Sequence, residues 1–356
     1  MKIAVVFGTR PEIIKLSPVI RALEKFNADY FIIHTNQHYD ENMDSIFLQE
    51  LELPKPKYNL GIGSGTHANM TGKMLIEVEK IFLEEKPDLL IVQGDTNTVL
   101  AVSLAASKMH INIAHVEAGL RSYTKIPEET NRILTDRISD YCFTPTKKQE
   151  TILKNEGIEE EKIHIVGNTI VDAAFQNLEI AKQKPDNLLK KLDFKPENYI
   201  LLTTHREENV DNKTKLQDIL TATDTISTKN NLPVVFPIHP RTQKNIEKFN
   251  IQIPQSIKTI EPTGYLDMLT LIQNAKLILT DSGGIQEEAC ILQTPCLTLR
   301  ESTERPETVE VGGNIITDTN KEKIVEESQN IMNKNIDWKN PFGNGNTGEL
   351  IVKTFL

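Results

Sequence analysis

Cysteine is scarce in this 356-residue chain, which has only Cys142, Cys290 and Cys296 and no CxxC pair. That spacing excludes a disulfide frame and a cysteine zinc site, so no metal is expected. The three thiols read as small buried residues of a reducing compartment. Long apolar runs are missing too, and nothing approaches the ~20 residues that span a bilayer. Positive charge is not in excess: 40 Lys and Arg against 50 Asp and Glu give a formal net charge of -10. That balance argues against general nucleic-acid or anionic-membrane binding, while leaving room for a local cationic pocket for a phosphorylated small molecule. The chain opens on the strand-like run Lys2–Phe7 rather than on a signal peptide, so the cytoplasm is the expected location. No GxGxxG fingerprint follows that run.

What is present is alternation. Short apolar, β-branched runs at Lys2–Phe7, Tyr30–His34, Leu89–Gln93, Ile111–Val116, Tyr141–Thr144 and Ile163–Val166 read as strands. Between them, amphipathic segments near Pro11–Lys25, His67–Glu85, Thr98–Met109, Glu128–Ile138 and Lys147–Asn155 read as helices. A polar stretch around Lys182–Asn198 reads as a connection with few core residues. A second series follows, with strands near Tyr199–Thr203, Val234–Pro237, Lys258–Ile260, Leu277–Thr280, Cys296–Thr298 and Asn314–Thr317. Its helices fall near Lys213–Thr228, Gln243–Phe249, Leu266–Asn274, Ile285–Leu292 and Lys321–Met332, and a last helix near Thr347–Leu356 follows a turn. The expected fold class is α/β, two Rossmann-like doubly wound domains facing a cleft. The expected division is 1–168, with the returning helix 343–356, and 169–342.

In such sheets ligands sit beyond the C-terminal ends of strands, and those ends hold the candidate chemistry. The stretch Leu277–Glu288 runs from a buried strand through Asp281-Ser282-Gly283-Gly284 into a helix. Free N–H groups and the positive macrodipole end would attract phosphate there, with Ser282 able to cap and two glycines admitting a ligand to the backbone. The plain alternative is an ordinary strand-to-helix turn. Arg10 and Lys15 flank the first strand-to-helix turn, as an anion contact or as solvated cations. Gly94-Asp95-Thr96, Glu117-Ala118-Gly119-Leu120-Arg121 and Pro127-Glu128-Glu129 each place a carboxylate at a strand end or helix start. Asp95, Glu117 and Glu128 can complement helix dipoles, or, held together, can divide acid from base roles by raising one another's pKa. His205 and Arg206 suit a diphosphate, and His239 with Arg241 is a weaker candidate. Arg305 precedes a Pro-started helix. Of Glu287 and Glu288, one suits a ribose diol, and Glu287 reads as a solvated helix face.

Taken together and in order, Gly8–Glu12, Gly94–Thr96, His115–Arg121, Pro127–Arg132, Gly167–Thr169, Thr204–Arg206, Asp281–Glu288 and Thr303–Glu307 resemble the non-hydrolysing UDP-N-acetylglucosamine 2-epimerases, essentially end to end. The resemblance implies a GT-B-like fold, a homodimer, and interconversion of UDP-GlcNAc and UDP-ManNAc without NAD or other cofactor. It implies catalytic roles for Asp95, Glu117, Glu128, His205 and Lys15. It further implies UDP contacts at Arg10, Ser282, Gly283, Gly284 and Glu288 (the last on ribose), with Arg305 close by. Bacterial members can bind a second UDP-GlcNAc as activator, which would fall here on Gln37, His38, Arg206 and His239. Two departures stand out. Where many bacterial members read His-Arg-Arg-Glu-Asn, this chain has His205-Arg206-Glu207-Glu208-Asn209. Gly63–Ala68 also lacks the Arg of its bacterial counterpart. A hydrolysing 2-epimerase, a GT-B glycosyltransferase, a diacetamido-sugar relative and a non-catalytic nucleotide-sugar binder are the alternatives.

Overall fold

A computed structural model describes residues 1–36, 41–184, 188–334 and 336–356, with 41–45 as backbone only. The first series is β1 (Lys2–Phe7), α1 (Arg10–Lys25), β2 (Asp29–His34), α2 (Glu41–Glu50), β3 (Tyr58–Asn59), α3 (His67–Glu85) and β4 (Leu89–Gln93). It continues with α4 (Asn97–Lys108), β5 (Asn112–Val116), α5 (Pro127–Ile138), β6 (Tyr141–Thr144), α6 (Lys147–Asn155), a 3-10 turn (Glu160–Lys162) and β7 (Ile163–Ile165). Next come α7 (Thr169–Gln183), α8 (Leu188–Leu192), β8 (Ile200–Thr203), α9 (Glu207–Val210), α10 (Lys213–Asn230), β9 (Val234–Pro237) and α11 (Pro240–Phe249). The chain finishes with β10 (Ile257–Ile260), α12 (Tyr265–Asn274), β11 (Leu277–Thr280), α13 (Gly283–Ile291), β12 (Cys296–Thr298), α14 (Pro306–Glu310), β13 (Asn314–Ile316), α15 (Lys321–Met332) and α16 (Thr347–Phe355).

Two compact units result: Met1–Gln176 with Phe342–Leu356, and Asn177–Pro341. Among the described residues the first holds a sheet ordered β3-β2-β1-β4-β5-β6-β7, and the second a sheet ordered β10-β9-β8-β11-β12-β13. Their pairings are parallel, for example Val5 opposite Ile32 and Ile91, and Thr280 opposite Thr203 and Thr298. Parallel strands covered on both faces need continuous apolar runs, and Ile3–Phe7, Leu90–Val92 and Leu277–Leu279 are fully buried. Each such Val, Leu, Ile or Phe contributes about 1.5–3 kcal/mol on burial. Each unit is thus the doubly wound sheet expected, of the kind found in GT-B-like proteins.

The order reverses between β1 and β4 in the first sheet, and between β8 and β11 in the second. Those are the topological switch points, where adjacent connections leave for opposite faces and open a crevice. α16 packs on α1, and the Gly348 N–H donates to Asp172 at 2.9 Å.

Several elements go beyond the sequence expectation: β3, α2, α7, α8 and α9. The stretch after Lys182 is not a bare connection, because Leu189 of α8 is buried in a cluster with Tyr199, and Phe194 packs against it. Its lysines hide an apolar face made by Leu188, Leu189 and Leu192 at helical spacing. The three cysteines are free and buried, and burial pushes the Cys290 thiol up to about 12. Among the described residues no helix is long and apolar enough to cross a membrane.

Candidate active site

In the first domain, Lys15 comes from α1, Gln93 ends β4, and Glu117 follows β5. Because β1, β4 and β5 are neighbours, these three side chains meet. Lys15 Nζ donates to both oxygens of Glu117, at 2.7 and 2.6 Å, and Gln93 Nε2 donates to Oε2. Glu117 adopts φ +69°, in the left-handed region that costs a residue with a side chain roughly 1–2 kcal/mol. Such strain persists where surrounding contacts over-determine it, commonly at functional positions.

Asp95 lies on the turn after β4. An Arg132 nitrogen donates to Asp95 Oδ2, and Asn131 Nδ2 donates to the Asp95 carbonyl at 2.8 Å. Glu117 and Asp95 therefore each have a cation of their own. Glu128 sits half-buried in the first turn of α5. Arg10 begins α1 with its guanidinium 5.7 Å from the centre of the Phe47 ring. Glu12 is 2% exposed and accepts from Gly8 N–H, Thr9 N–H, Thr9 Oγ1 and Thr96 Oγ1 at 2.6–3.0 Å. It ties the turn after β1 to the turn after β4, and burial, outweighing these donors, raises its pKa.

α5 supplies a buried frame that the sequence reading did not find. Asp136 Oδ1 lies 2.7 Å from His115 Nδ1, while Oδ2 receives the Gly119 N–H at 3.2 Å and lies 2.8 Å from Arg121. Glu129 accepts from Ser122 N–H and Oγ and from Tyr123 N–H at 2.9–3.0 Å, and pairs with Arg132 at 3.0 Å. Burial opposes ionisation of Glu129, but those donors prevail and lower its pKa. One signal was available: Glu128, Asn131, Arg132, Thr135 and Asp136 recur at helical spacing, so one face of α5 is polar where it meets the sheet.

In the second domain, Asp281 follows directly on β11 and is fully buried. It accepts from Thr204 Oγ1 at 2.7 Å, from the N–H groups of His205 and Arg206 at 3.0 Å, and from Asn209 at 3.1 Å. That one carboxylate binds the turn after β8 to the turn after β11. His205 projects with 42% of its side chain exposed, Nδ1 3.3 Å from Asp281, its ring 5.7 Å from that of His239. Desolvation is the largest influence on His205; with His239 and Arg206 it outweighs Asp281 and lowers the pKa below 6.5. Arg206 Nε is buried without a hydrogen-bond partner among the described residues.

Ser282 occupies the N-cap position of α13, yet its side chain makes no capping bond, contrary to the expected cap. Gly283 and Gly284 have ordinary negative φ, and an added Cβ would meet nothing closer than 3.7 Å. Folding does not require glycine at either position, so their bareness leaves the helix N-terminus open to an approaching group. Glu288 is 7% exposed on the same helix. Glu287 overturns its reading as a solvated residue: it is 3% exposed, and its carboxylate lies 2.9 Å from Arg305 Nε. Adjacent helix positions point about 100° apart, so Glu287 turns inward toward the chain that starts α14. Gln37 and His38 lie outside the described residues. Among the described residues no group of three or more His, Cys, Asp or Glu is placed to hold a metal.

The two switch points thus carry complementary equipment: carboxylates paired with cations in the first domain, and an uncapped helix N-terminus beside a histidine in the second. Known proteins match this chain along its length. The family model described as UDP-N-acetylglucosamine 2-epimerase matches residues 21–356. A UDP-N-acetylglucosamine 2-epimerase of Methanocaldococcus jannaschii is 59% identical, covering 99% of this chain and 98% of its own length. One from Methanococcus maripaludis is 55% identical over 99% and 97% of the two chains. A crystal structure of the Methanocaldococcus jannaschii enzyme in complex with UDP-GlcNAc and UDP superposes with a TM-score of 0.84, at 58% identity, covering 99% of each chain. The chain belongs to the UDP-N-acetylglucosamine 2-epimerase family.

Proposed function

We propose that this enzyme interconverts UDP-GlcNAc and UDP-ManNAc by eliminating UDP to leave 2-acetamidoglucal and adding UDP back on the inverted centre. The sugar C2–H is not beside a carbonyl, so a carboxylate cannot simply remove its proton. Departure of UDP from C1 creates the acidity, by leaving an electron-poor anomeric carbon. Donors on the diphosphate then stabilise the charge that builds on the leaving group. In this reading Arg10, His205 and the Ser282–Gly284 turn do that work, Glu288 holds the ribose and Arg305 lies beside the same ligand.

Proton transfer on two faces of C2 needs two groups, which accounts for more than one carboxylate among Asp95, Glu117 and Glu128. Lys15, bonded to both of its oxygens, holds the Glu117 carboxylate in orientation. The observation that carries the reading is this Lys15–Glu117–Gln93 cluster, a buried carboxylate fixed on a strained residue at a switch point. The relative that binds UDP-GlcNAc and UDP supports the same substrate here. Proton transfer is assigned to the first unit, which takes in 169–176 and Phe342 as well as the expected 1–168 and 343–356, and UDP binding to the second. The enzyme acts in the cytoplasm as a homodimer, and Arg206 and His239 contribute to a second, activating nucleotide-sugar site.

Proton NMR of the purified protein with UDP-GlcNAc in D2O tests the reaction. UDP-ManNAc carrying deuterium at C2 is the expected product. Free ManNAc would assign a hydrolysing epimerase, and no turnover without an acceptor would assign a transferase. Turnover of a diacetamido sugar nucleotide alone would move the substrate to that relative.

A further inference from the structure

The segment that bears Asp95 is held at successive polar groups of its backbone. Gly94, at φ +83°, donates its N–H to Val116 O at 3.1 Å. Its carbonyl lies 2.8 Å from His115 Nε2, and the carbonyl of Asp95 receives Asn131 at 2.8 Å. His115 is fixed from its other nitrogen by Asp136, and both side chains are 1% exposed. A carbonyl on one ring nitrogen and a carboxylate on the other require both nitrogens to donate. Burial works against that charged ring, but Asp136, the Gly94 carbonyl and Asp95 prevail and raise its pKa. Because Asp136 also holds Gly119 N–H and Arg121, one carboxylate registers the Asp95 turn against the Glu117 loop.

We propose that His115 and Asp136 are positioning residues: the imidazole, oriented by Asp136, fixes the Gly94–Asp95 peptide and so aims the Asp95 carboxylate. The inference rests on the reading of Asp95 as a proton-transfer group. Neither residue touches substrate, since both are buried behind the turn. A histidine with a packing role alone needs no bond to the carbonyl just before that carboxylate. The ring's second donor goes there, at the peptide whose rotation would swing Asp95.

Two substitutions separate positioning from packing. His115→Gln sets an amide nitrogen near the place of Nε2 and keeps the donor to Gly94. His115→Asn keeps a donor toward Asp136 but falls short of Gly94. The expected result is a kcat loss on the order of 10²-fold in His115→Asn, with KM for UDP-GlcNAc little changed and most of kcat retained in His115→Gln. If His115→Asn does not fold, His115→Met, of similar reach and without a donor, takes its place with the same expectation. Equal kcat in the donor-keeping and donor-losing variants overturns the proposal, as does a loss confined to KM. Asp95→Asn is measured in parallel. Wild-type turnover in that variant overturns the reading of Asp95 and this inference with it. An inactive Asp95→Asn beside equally active His115 variants overturns the positioning role alone.

Discussion

Lys15 reaches across 102 positions of sequence to place its ammonium on both oxygens of Glu117, at 2.7 and 2.6 Å. The pair is largely withdrawn from water, with side-chain exposures of 15% and 6%. Removing one member of a buried pair strands the other charge, at a cost of about 3–5 kcal/mol. Lys15→Met or Glu117→Gln is therefore expected to lower the thermal midpoint, and the double variant to regain much of the loss. Turnover is expected to stay lost in the double variant, by about 10²–10⁴-fold, because the proton-transfer group is gone. Melting curves and single-turnover rates on the four proteins check this. A double variant no more stable than Glu117→Gln would contradict the ion-pair account.

Glu12 gives a pH signature. Burial raises its pKa above the ordinary 4.5, so the folded protein holds this proton more tightly than the unfolded chain. Stability from this group is then greatest below pH ~4.5 and falls as pH rises through the folded value, levelling above it. Glu12→Gln keeps acceptors for Gly8 and Thr9, turns its amide toward Thr96, and is expected to remove that slope. Glu12→Ala leaves several buried donors unmet and is expected to cost about 3 kcal/mol. Denaturation midpoints across pH 4 to 8 check both, and a wild-type midpoint that rises relative to Glu12→Gln over the acid side would contradict the direction.

His205 should take up a proton when UDP binds. Its pKa lies below 6.5 in the free protein, so the ring is mostly neutral at pH 7. An arriving diphosphate favours the charged form. Calorimetry of UDP binding at pH 6.5, in buffers of different ionisation enthalpy, is expected to show uptake in the wild type and none in His205→Asn. Equal proton counts in the two proteins would remove His205 from the diphosphate site.

Arg305 owes its orientation to Glu287, 2.9 Å away and nearly buried. Glu287→Gln is expected to raise KM for UDP-GlcNAc several-fold with little change in kcat, because a looser Arg305 weakens ground-state and transition-state binding alike. Arg305→Ala is expected to cost about 2 kcal/mol of stability as well, since it withdraws a cation from a buried carboxylate. Steady-state kinetics with melting curves separate the two effects. A change in kcat alone would place Arg305 with the reacting atoms instead.

The framework was legible because its strands are buried on both faces. Within them Ile3–Phe7, Leu89–Val92 and Leu277–Leu279 are unbroken apolar runs that composition alone marks as core strands. The charged residues at their ends could be named for the same reason, since Glu117 and Asp95 follow directly from β5 and β4. What those residues touch was not legible. Asp136 binds His115 over 21 positions and Asn131 binds Asp95 over 36, distances that the wrap of α5 onto the sheet sets. Glu287, a carboxylate beside another on a short helix, looks solvated in the sequence until its partner, Arg305, is brought in from the next connection. α7 is hard to see in the sequence although Ile170, Val171, Ala174 and Leu178 lie on one helical face, because its polar residues dilute the pattern.

In an elimination, the bond between C1 and the UDP oxygen breaks before C2 inverts. Incubating UDP-GlcNAc labelled with 18O at the bridge between C1 and the β-phosphate reads that event directly by 31P NMR. Elimination predicts that the label spreads from the bridge to the non-bridging β-phosphate oxygens at a rate comparable with deuterium entry at C2. Deuterium entering C2 while the label stays at the bridge would contradict the account.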